Sequence, residues 1–139
     1  MNIRKGEICD LTSIINIEKA VYNKPYWNVE MLKKLFIDSI IETVWVIENR
    51  KKIIGFLIEQ RCDNEINLLN VAIDRPFQNR GTGKKLINHY LDLISGNCSV
   101  FLEVNKSNII PRKIYADLNL KILGSGKIII IMEEEMHLK

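Results

Sequence analysis

The segment Gln78-Asn79-Arg80-Gly81-Thr82-Gly83 has the residue types and spacing of an anion cradle. Glycines at 81 and 83 come directly after a β-branched stretch and open an amphipathic one. Backbone N–H groups are thus left unobstructed at a helix N-terminus, where the macrodipole favours negative charge. A pyrophosphate suits such a cradle. The segment is not a Walker loop, because Gly-x-x-x-x-Gly-Lys-Ser/Thr is absent, and it lacks the third glycine of the dinucleotide fingerprint. Taken alone it serves equally as a tight strand-to-helix turn with no ligand. Lys84-Lys85 follow at once, and Lys106, Arg112 and Lys113 gather further along, which favours a small anionic ligand.

Other chemistries find less support. Cys9, Cys62 and Cys98 are three in number, widely spaced, with no Cys-x-x-Cys pair and no histidine at ligand spacing, so neither a metal site nor a disulfide framework is expected. His89 falls in the helix after the loop, where it reads as solvated or packed, and His137 belongs to a tail. Glu133-Glu134-Glu135 reads as a solvated end. The net charge of +3 comes without a basic stripe interleaved with aromatics, so no nucleic-acid partner is expected. The opening Met1 to Glu7 carries charge where a signal peptide needs its apolar stretch, and the uncharged run Ile128 to Met132 is too short to cross a bilayer. A cytoplasmic protein with no membrane partner is expected.

The elements that must position the loop follow from periodicity. With 139 residues, 47% of them hydrophobic and 27% charged, the chain can bury one continuous core without staples, and no repeat or linker divides it. A short strand near Ile3 precedes a helix capped by Asp10 or Thr12 with Ile14, Ile15, Ile17 and Val21 on one side. Asn28 caps a second helix carrying Met31, Leu32, Leu35 and Phe36. Thr43 to Ile47 and Ile53 to Ile58 read as strands about a hairpin turn in the charged run Glu48 to Lys52, and Ile66 to Ile73 as a third. Gly83 to Ile94 is a helix with Leu86, Ile87, Tyr90, Leu91 and Ile94 on one face. A strand Ser99 to Val104, a helix Asn108 to Leu118 with Pro111 in its first turn, and a strand pair punctuated by Gly124-Ser125-Gly126 complete an α/β domain, 1–139, with a mixed central sheet flanked by helices.

The run Asn70 to Leu86 resembles the acetyl-coenzyme A motif of the GNAT superfamily, with its Gln/Arg-x-x-Gly-x-Gly/Ala core. Leu102 to Asn108, then Lys113 to Leu118, is similar to the second half of that domain in RimI-like N-terminal alanine acetyltransferases, and Ile17-Glu18, Pro25 to Trp27 and Gly55 extend the likeness upstream. The resemblance implies that the cosubstrate is acetyl-coenzyme A, with no metal. It implies that Val71, Ala72, Ile73, Gln78, Asn79, Arg80, Gly81, Thr82, Gly83 and Lys84 bind it, that Asn108 bonds the pantetheine arm, and that backbone N–H near Val71 polarises the thioester carbonyl. Glu103 takes the place of the family's base and Tyr115 that of its acid, while Tyr26 and Trp27 line the acceptor cleft. The partner implied is a protein or peptide N-terminus, with a small amine such as a polyamine, amino sugar or antibiotic as the alternative and a non-catalytic acetyl-coenzyme A binder as the third. A monomer or homodimer is expected. Two departures stand out: Leu118-Asn119-Leu120 replaces Leu-Gly-Phe, and only Leu123 to Lys127 joins the last strands where RimI-like chains have a longer, basic, tyrosine-rich stretch.

Overall fold

The computed structural model describes residues 1–21, 28–78, 80–94, 98–103, 121–123 and 127–132, and for 98–99, 102–103, 121–123 and 127–132 the backbone alone. The elements run β1 (Asn2–Lys5), a 3-10 turn (Ile8–Asp10), α1 (Leu11–Val21), α2 (Val29–Ile37), β2 (Glu42–Asn49), β3 (Lys52–Cys62) and β4 (Glu65–Ile73). A second 3-10 turn (Arg75–Phe77), α3 (Thr82–Leu93), β5 (Cys98–Glu103), β6 (Lys121–Leu123) and β7 (Lys127–Met132) follow. The strands form one seven-stranded sheet in the order β1-β2-β3-β4-β5-β7-β6. Its pairs are antiparallel except β4 with β5, so the sheet is mixed, as expected. The helix expected over Asn108 to Leu118 lies outside the described residues.

The β2–β3 hairpin is tighter than the charged run suggests. Strand pairing reaches Asn49 opposite Lys52, which leaves a turn of Arg50 and Lys51 at φ 51° and 66°. Two left-handed residues in a row match the twist of the flanking strands, and for non-glycine residues they cost about 1–2 kcal/mol each. The long ladder that follows offsets this.

Two register shifts shape the middle of the sheet. Between the pairs Ile47↔Gly55 and Glu48↔Ile53, Ile54 is the extra residue, and its carbonyl accepts the Asp74 N–H at 2.8 Å. Between Ile58↔Asn70 and Glu59↔Leu68, the extra residue is Leu69. A β-bulge bends its strand and resets which side chains face which way. Accordingly Ile66 and Leu68 before the bulge, and Val71 and Ile73 after it, all pack toward α3, whereas Ala72 packs toward α1 and α2. Gly55 is required where the bent strands close on one another: a Cβ there would lie 2.7 Å from Ile73 Cδ1 and 2.8 Å from Ile47 Cγ2.

The sheet separates two cores. Leu86, Ile87 and Tyr90 of α3, with Ile94 just beyond it, cover one face, over Leu57 and Val100. Ile14 and Ile17 of α1 and Leu32 of α2 cover the other, over Val44, Val46, Phe56 and Ile58. Each fully buried aliphatic side chain of this kind contributes about 1.5–3 kcal/mol. Asn28 caps α2 as expected, its side-chain oxygen accepting the Met31 N–H at 2.9 Å. Met31 itself is exposed.

Asp10 does not cap α1. It ends the 3-10 turn that runs into the helix, and its carboxylate turns back to accept from Arg4 Nη1 and Nη2 at 2.8 and 3.0 Å and from the Glu7 N–H at 2.8 Å. The hydrogen bond from Arg4 holds this carboxyl below the usual carboxylate range, against the opposing effect of burial. A depressed pKa stabilises the folded state above the unfolded value of about 3.9, and that stability is lost as pH falls through the folded value. Asp10→Asn is therefore expected to cost roughly 1–3 kcal/mol at neutral pH. In urea titrations the gap between variant and parent should narrow toward pH 3, and an equal gap at both pH values would argue against the ion pair as its source.

Candidate active site

The carboxyl ends of the parallel pair β4 and β5 are where an α/β sheet offers a crevice. The β4–β5 ladder registers Glu65–Leu68 with Ser99–Leu102, whereas the β3–β4 ladder runs on to Ile73. The bulge at Leu69 falls where the first ladder stops. Two adjacent parallel strands thus part company at this point, β4 continuing on β3 and β5 on β7.

From the end of β4 a short, heavily fastened turn leads into α3. The Asp74 carboxylate accepts the Arg75 N–H at 3.1 Å and caps the 3-10 turn that contains Pro76. Arg75 Nε donates to the Ala20 carbonyl at 2.5 Å, tying the turn to the last turn of α1. Gln78 Nε2 donates to the Ile73 carbonyl at 2.8 Å, so this side chain braces the loop. Gly81 is the N-cap of α3 at φ 76°, and a Cβ built on it meets nothing within 4 Å. Thr82 and Gly83 are buried, and Arg80, Lys84 and Lys85 are exposed. The first turn of α3 therefore opens on the side where an anion would approach, with cations around it.

Val71, Ala72 and Ile73 have their side chains packed in the two cores, so what they can offer a ligand is backbone. Glu103 ends β5 one position past the last β4–β5 pair, its backbone paired with Lys127 of β7. The structure therefore gathers Val71, Ala72, Ile73, Gln78, Arg80, Gly81, Thr82, Gly83, Lys84 and the backbone of Glu103 at one end of the sheet. Asn79, Asn108 and Tyr115 lie outside the described residues, as do Tyr26, Trp27, His137 and Glu133 to Glu135. His89 is exposed on α3, the solvated one of its two expected settings. Among the described residues no cluster of histidine, cysteine, aspartate or glutamate could hold a metal. No helix among them is long and apolar enough to cross a membrane.

Two buried carboxylates escaped the sequence reading. Glu59, 3% exposed, accepts from Trp45 Nε1 at 2.7 Å, from the Tyr90 hydroxyl at 2.8 Å and from Arg61 Nη2 at 3.2 Å. Burial first, and the Glu59 charge second, push the Tyr90 hydroxyl well above its ordinary value, so it stays a donor. Tyr90 also meets Trp45 edge to face, with ring centroids 5.9 Å apart. This network fixes α3 on β2 and β3, and with it the orientation of the Gly81 cap. The second carboxylate is Glu18 on α1, fully buried and accepting from Asn70 Nδ2 at 2.8 Å. A signal existed for each. Glu18 follows Ile14 by four on the apolar stripe, and Glu59 follows Leu57 by two on the inward face of β3.

Residues 41–119 match the family model described as the acetyltransferase (GNAT) domain. The chain belongs to the GNAT acetyltransferases. The [ribosomal protein bS18]-alanine N-acetyltransferase of Escherichia coli (strain K12) is 28% identical over 116 residues, covering 81% of this chain and 75% of that one. The crystal structure of the ribosomal-protein-S18-alanine N-acetyltransferase from Escherichia coli superposes with a TM-score of 0.80 at 21% identity over 95% of this chain and 94% of that one. The PaiA N-acetyltransferase from Thermoplasma acidophilum, in complex with coenzyme A, gives 0.76 at 19% over 92% and 96%. At these identities the structures attest the fold, which is the mixed GNAT sheet with helices on both faces. GNAT acetyltransferases use acetyl-coenzyme A, and the parted strands and Gly81-capped helix of this member are the features that can receive such a cosubstrate.

Proposed function

We propose that residues 1–139 form one catalytic domain that moves the acetyl group of acetyl-coenzyme A to a primary amine, the α-amine of a protein or peptide N-terminus, by direct attack. The observation that carries this reading is the parting of β4 from β5 at Leu69, beside the open N-terminus of α3. Backbone N–H groups at Gly81 to Lys84 hold the pyrophosphate, with Arg80 and Lys84 adding charge and Gln78 keeping the loop in place through Ile73. The side of Gly81 where a Cβ would stand is clear, which fits a bulky anion.

Backbone at Val71 to Ile73 lies along the thioester, and an N–H there stabilises the oxyanion that grows as the amine attacks, a contribution of about 3 kcal/mol for a well-aimed donor. Glu103 takes a proton from the acceptor's ammonium, directly or through water, which leaves the neutral amine that attacks, and Tyr115 gives one to the departing thiolate. Asn108 bonds the pantetheine arm. No covalent acyl-enzyme forms.

The choice of acceptor draws on the alanine N-acetyltransferases that the chain resembles. The short connection Gly124-Ser125-Gly126 is the observation favouring the alternative, a small-amine substrate, because few residues are available in it to read a peptide. A competition panel of free N-terminal peptides, N-terminally blocked lysine peptides, spermidine and an aminoglycoside, followed by thiol release, tests the two. Preferential turnover of free N-terminal peptides is expected, with low kcat/KM and a relaxed preference at the first residue. Preference for spermidine or the aminoglycoside would overturn the choice, and no turnover despite tight coenzyme A binding would favour a non-catalytic binder.

A further inference from the structure

Glu18 and Asn70 occupy a joint that the proposed mechanism leaves unused. Glu18 is fully buried in the second half of α1, the last buried residue before the chain leaves that helix. Asn70 is the first residue of β4 after the Leu69 bulge and immediately precedes Val71. Their side chains meet at 2.8 Å, Asn70 Nδ2 donating to Glu18 Oε2. Placing a carboxylate at zero exposure between a helix and a sheet is costly unless hydrogen bonds satisfy it, and a packed apolar pair would hold the same two elements together without that cost. Hydrogen bonding adds direction. An apolar contact lets a bent strand slide by fractions of an ångström, whereas an amide bonded to a carboxylate fixes both distance and angle.

A bulged strand needs such fixing. The extra residue at Leu69 relaxes the ladder where β4 leaves β5, and the residues just beyond it are held by β3 on one side. Val71 faces the α3 core and Asn70 the opposite face, where α1 registers this stretch from the far side of the sheet. Arg75 makes a parallel tie at the other end of the same stretch, through Ala20 of α1. The helix thus grips β4 at its bulge and the loop just past its end, which brackets Val71 to Ile73.

We infer that Glu18 and Asn70 are positioning residues: their hydrogen bond sets the post-bulge backbone of β4, and so aims the donor at Val71 to Ile73 at the acetyl carbonyl. This rests on the acetyltransferase reading above. Misplacing a reacting group by about an ångström costs up to roughly 100-fold in rate while leaving remote binding contacts in place.

The test uses the full chain and normalises activity to coenzyme A binding sites counted by calorimetry, so that misfolded protein does not enter the rate. Asn70→Ala removes the donor, and Glu18→Asp keeps the charge but withdraws it by one methylene. Each is expected to lower kcat roughly 10–100-fold with the KM for acetyl-coenzyme A within about twofold. Glu18→Gln keeps an acceptor oxygen at the same reach and is expected to stay within about threefold of the parent. A role confined to holding the fold would instead lower the number of binding sites and leave kcat per site untouched, and that result in Asn70→Ala and Glu18→Asp would overturn the inference. Should Asn70→Ala fail to fold, the contrast between Glu18→Asp and Glu18→Gln decides it alone, equal rates in the two counting against it. Absence of thiol release by the parent protein with every amine tried would instead remove the underlying reading, and this inference with it.

Discussion

Gly81→Val is expected to weaken coenzyme A binding by about 100-fold or more, equivalent to ~2.7 kcal/mol. Two effects add. Gly81 sits at φ 76°, a conformation that a branched residue adopts only at a cost of about 1–2 kcal/mol, so the N-cap of α3 distorts. In addition, the side of Gly81 now clear to 4 Å receives an isopropyl group where a phosphate must approach the helix N-terminus. Gly81→Asn separates the two, because asparagine tolerates the left-handed region yet still fills the space, and it too should bind poorly. Calorimetry with coenzyme A in metal-free buffer measures both variants. Unchanged affinity in Gly81→Val would refute the cradle, and so would a requirement for added magnesium, since the phosphates are assigned to backbone N–H groups, Arg80 and Lys84.

Tyr115→Phe should lower kcat roughly 100- to 1,000-fold, the range expected for loss of a well-placed general acid. Donor affinity should change little, because the hydroxyl acts as the thiolate departs. A phenol with a pKa near 10 keeps its proton at neutral pH and can surrender it to a nascent thiolate. Tyr90 is no substitute, since its hydroxyl is donated to Glu59 in the core. Glu103→Gln should flatten the rise of rate with pH, to a smaller degree because water can take over as proton acceptor. Single-turnover measurements, in which chemistry limits the rate, are the proper comparison. Parental turnover in Tyr115→Phe under those conditions would make Tyr115 a packing residue only.

Period and punctuation make much of the fold legible in the sequence. The face Leu86, Ile87, Tyr90 and Ile94 marks α3, Asn28 announces the cap of α2, and the order of strand, Gly81-Thr82-Gly83 and helix places the cradle. What stayed hidden depends on long-range partners. Asp10 has the chemistry of a helix cap, but Arg4 and the Glu7 N–H compete for its carboxylate and win, and local sequence does not rank those partners. Glu59 and Glu18 occupy apolar positions of a strand and a helix, where their burial depends on Tyr90, thirty-one residues on, and Asn70, fifty-two residues on. The bond from the Gln78 side-chain amide to the Ile73 carbonyl is likewise one that local sequence does not announce. Bulges are the least legible feature, although Leu68-Leu69 breaks strict alternation just where the register shifts.

That extra residue makes β4 a strand with a parity. Counting by twos from Ile66 reaches Leu68 and then Asn70, yet the chain continues its α3-facing series at Val71 and Ile73, one step out of phase. Removing Leu69 would set Asn70 directly after Leu68 and restore plain alternation, leaving Val71 and Ile73 toward α3 and losing only the bend. Flattening the bulge at unchanged length would instead exchange the two faces up to Asp74, turning Val71 and Ile73 toward α1 and Asn70 away from Glu18. Ordinary substitutions in this stretch alter one contact each, whereas losing the bulge with every residue still in place would invert a whole surface. Between Ile66 and Ile73 the place of the extra residue is therefore part of the specification, because it decides which face each later side chain joins.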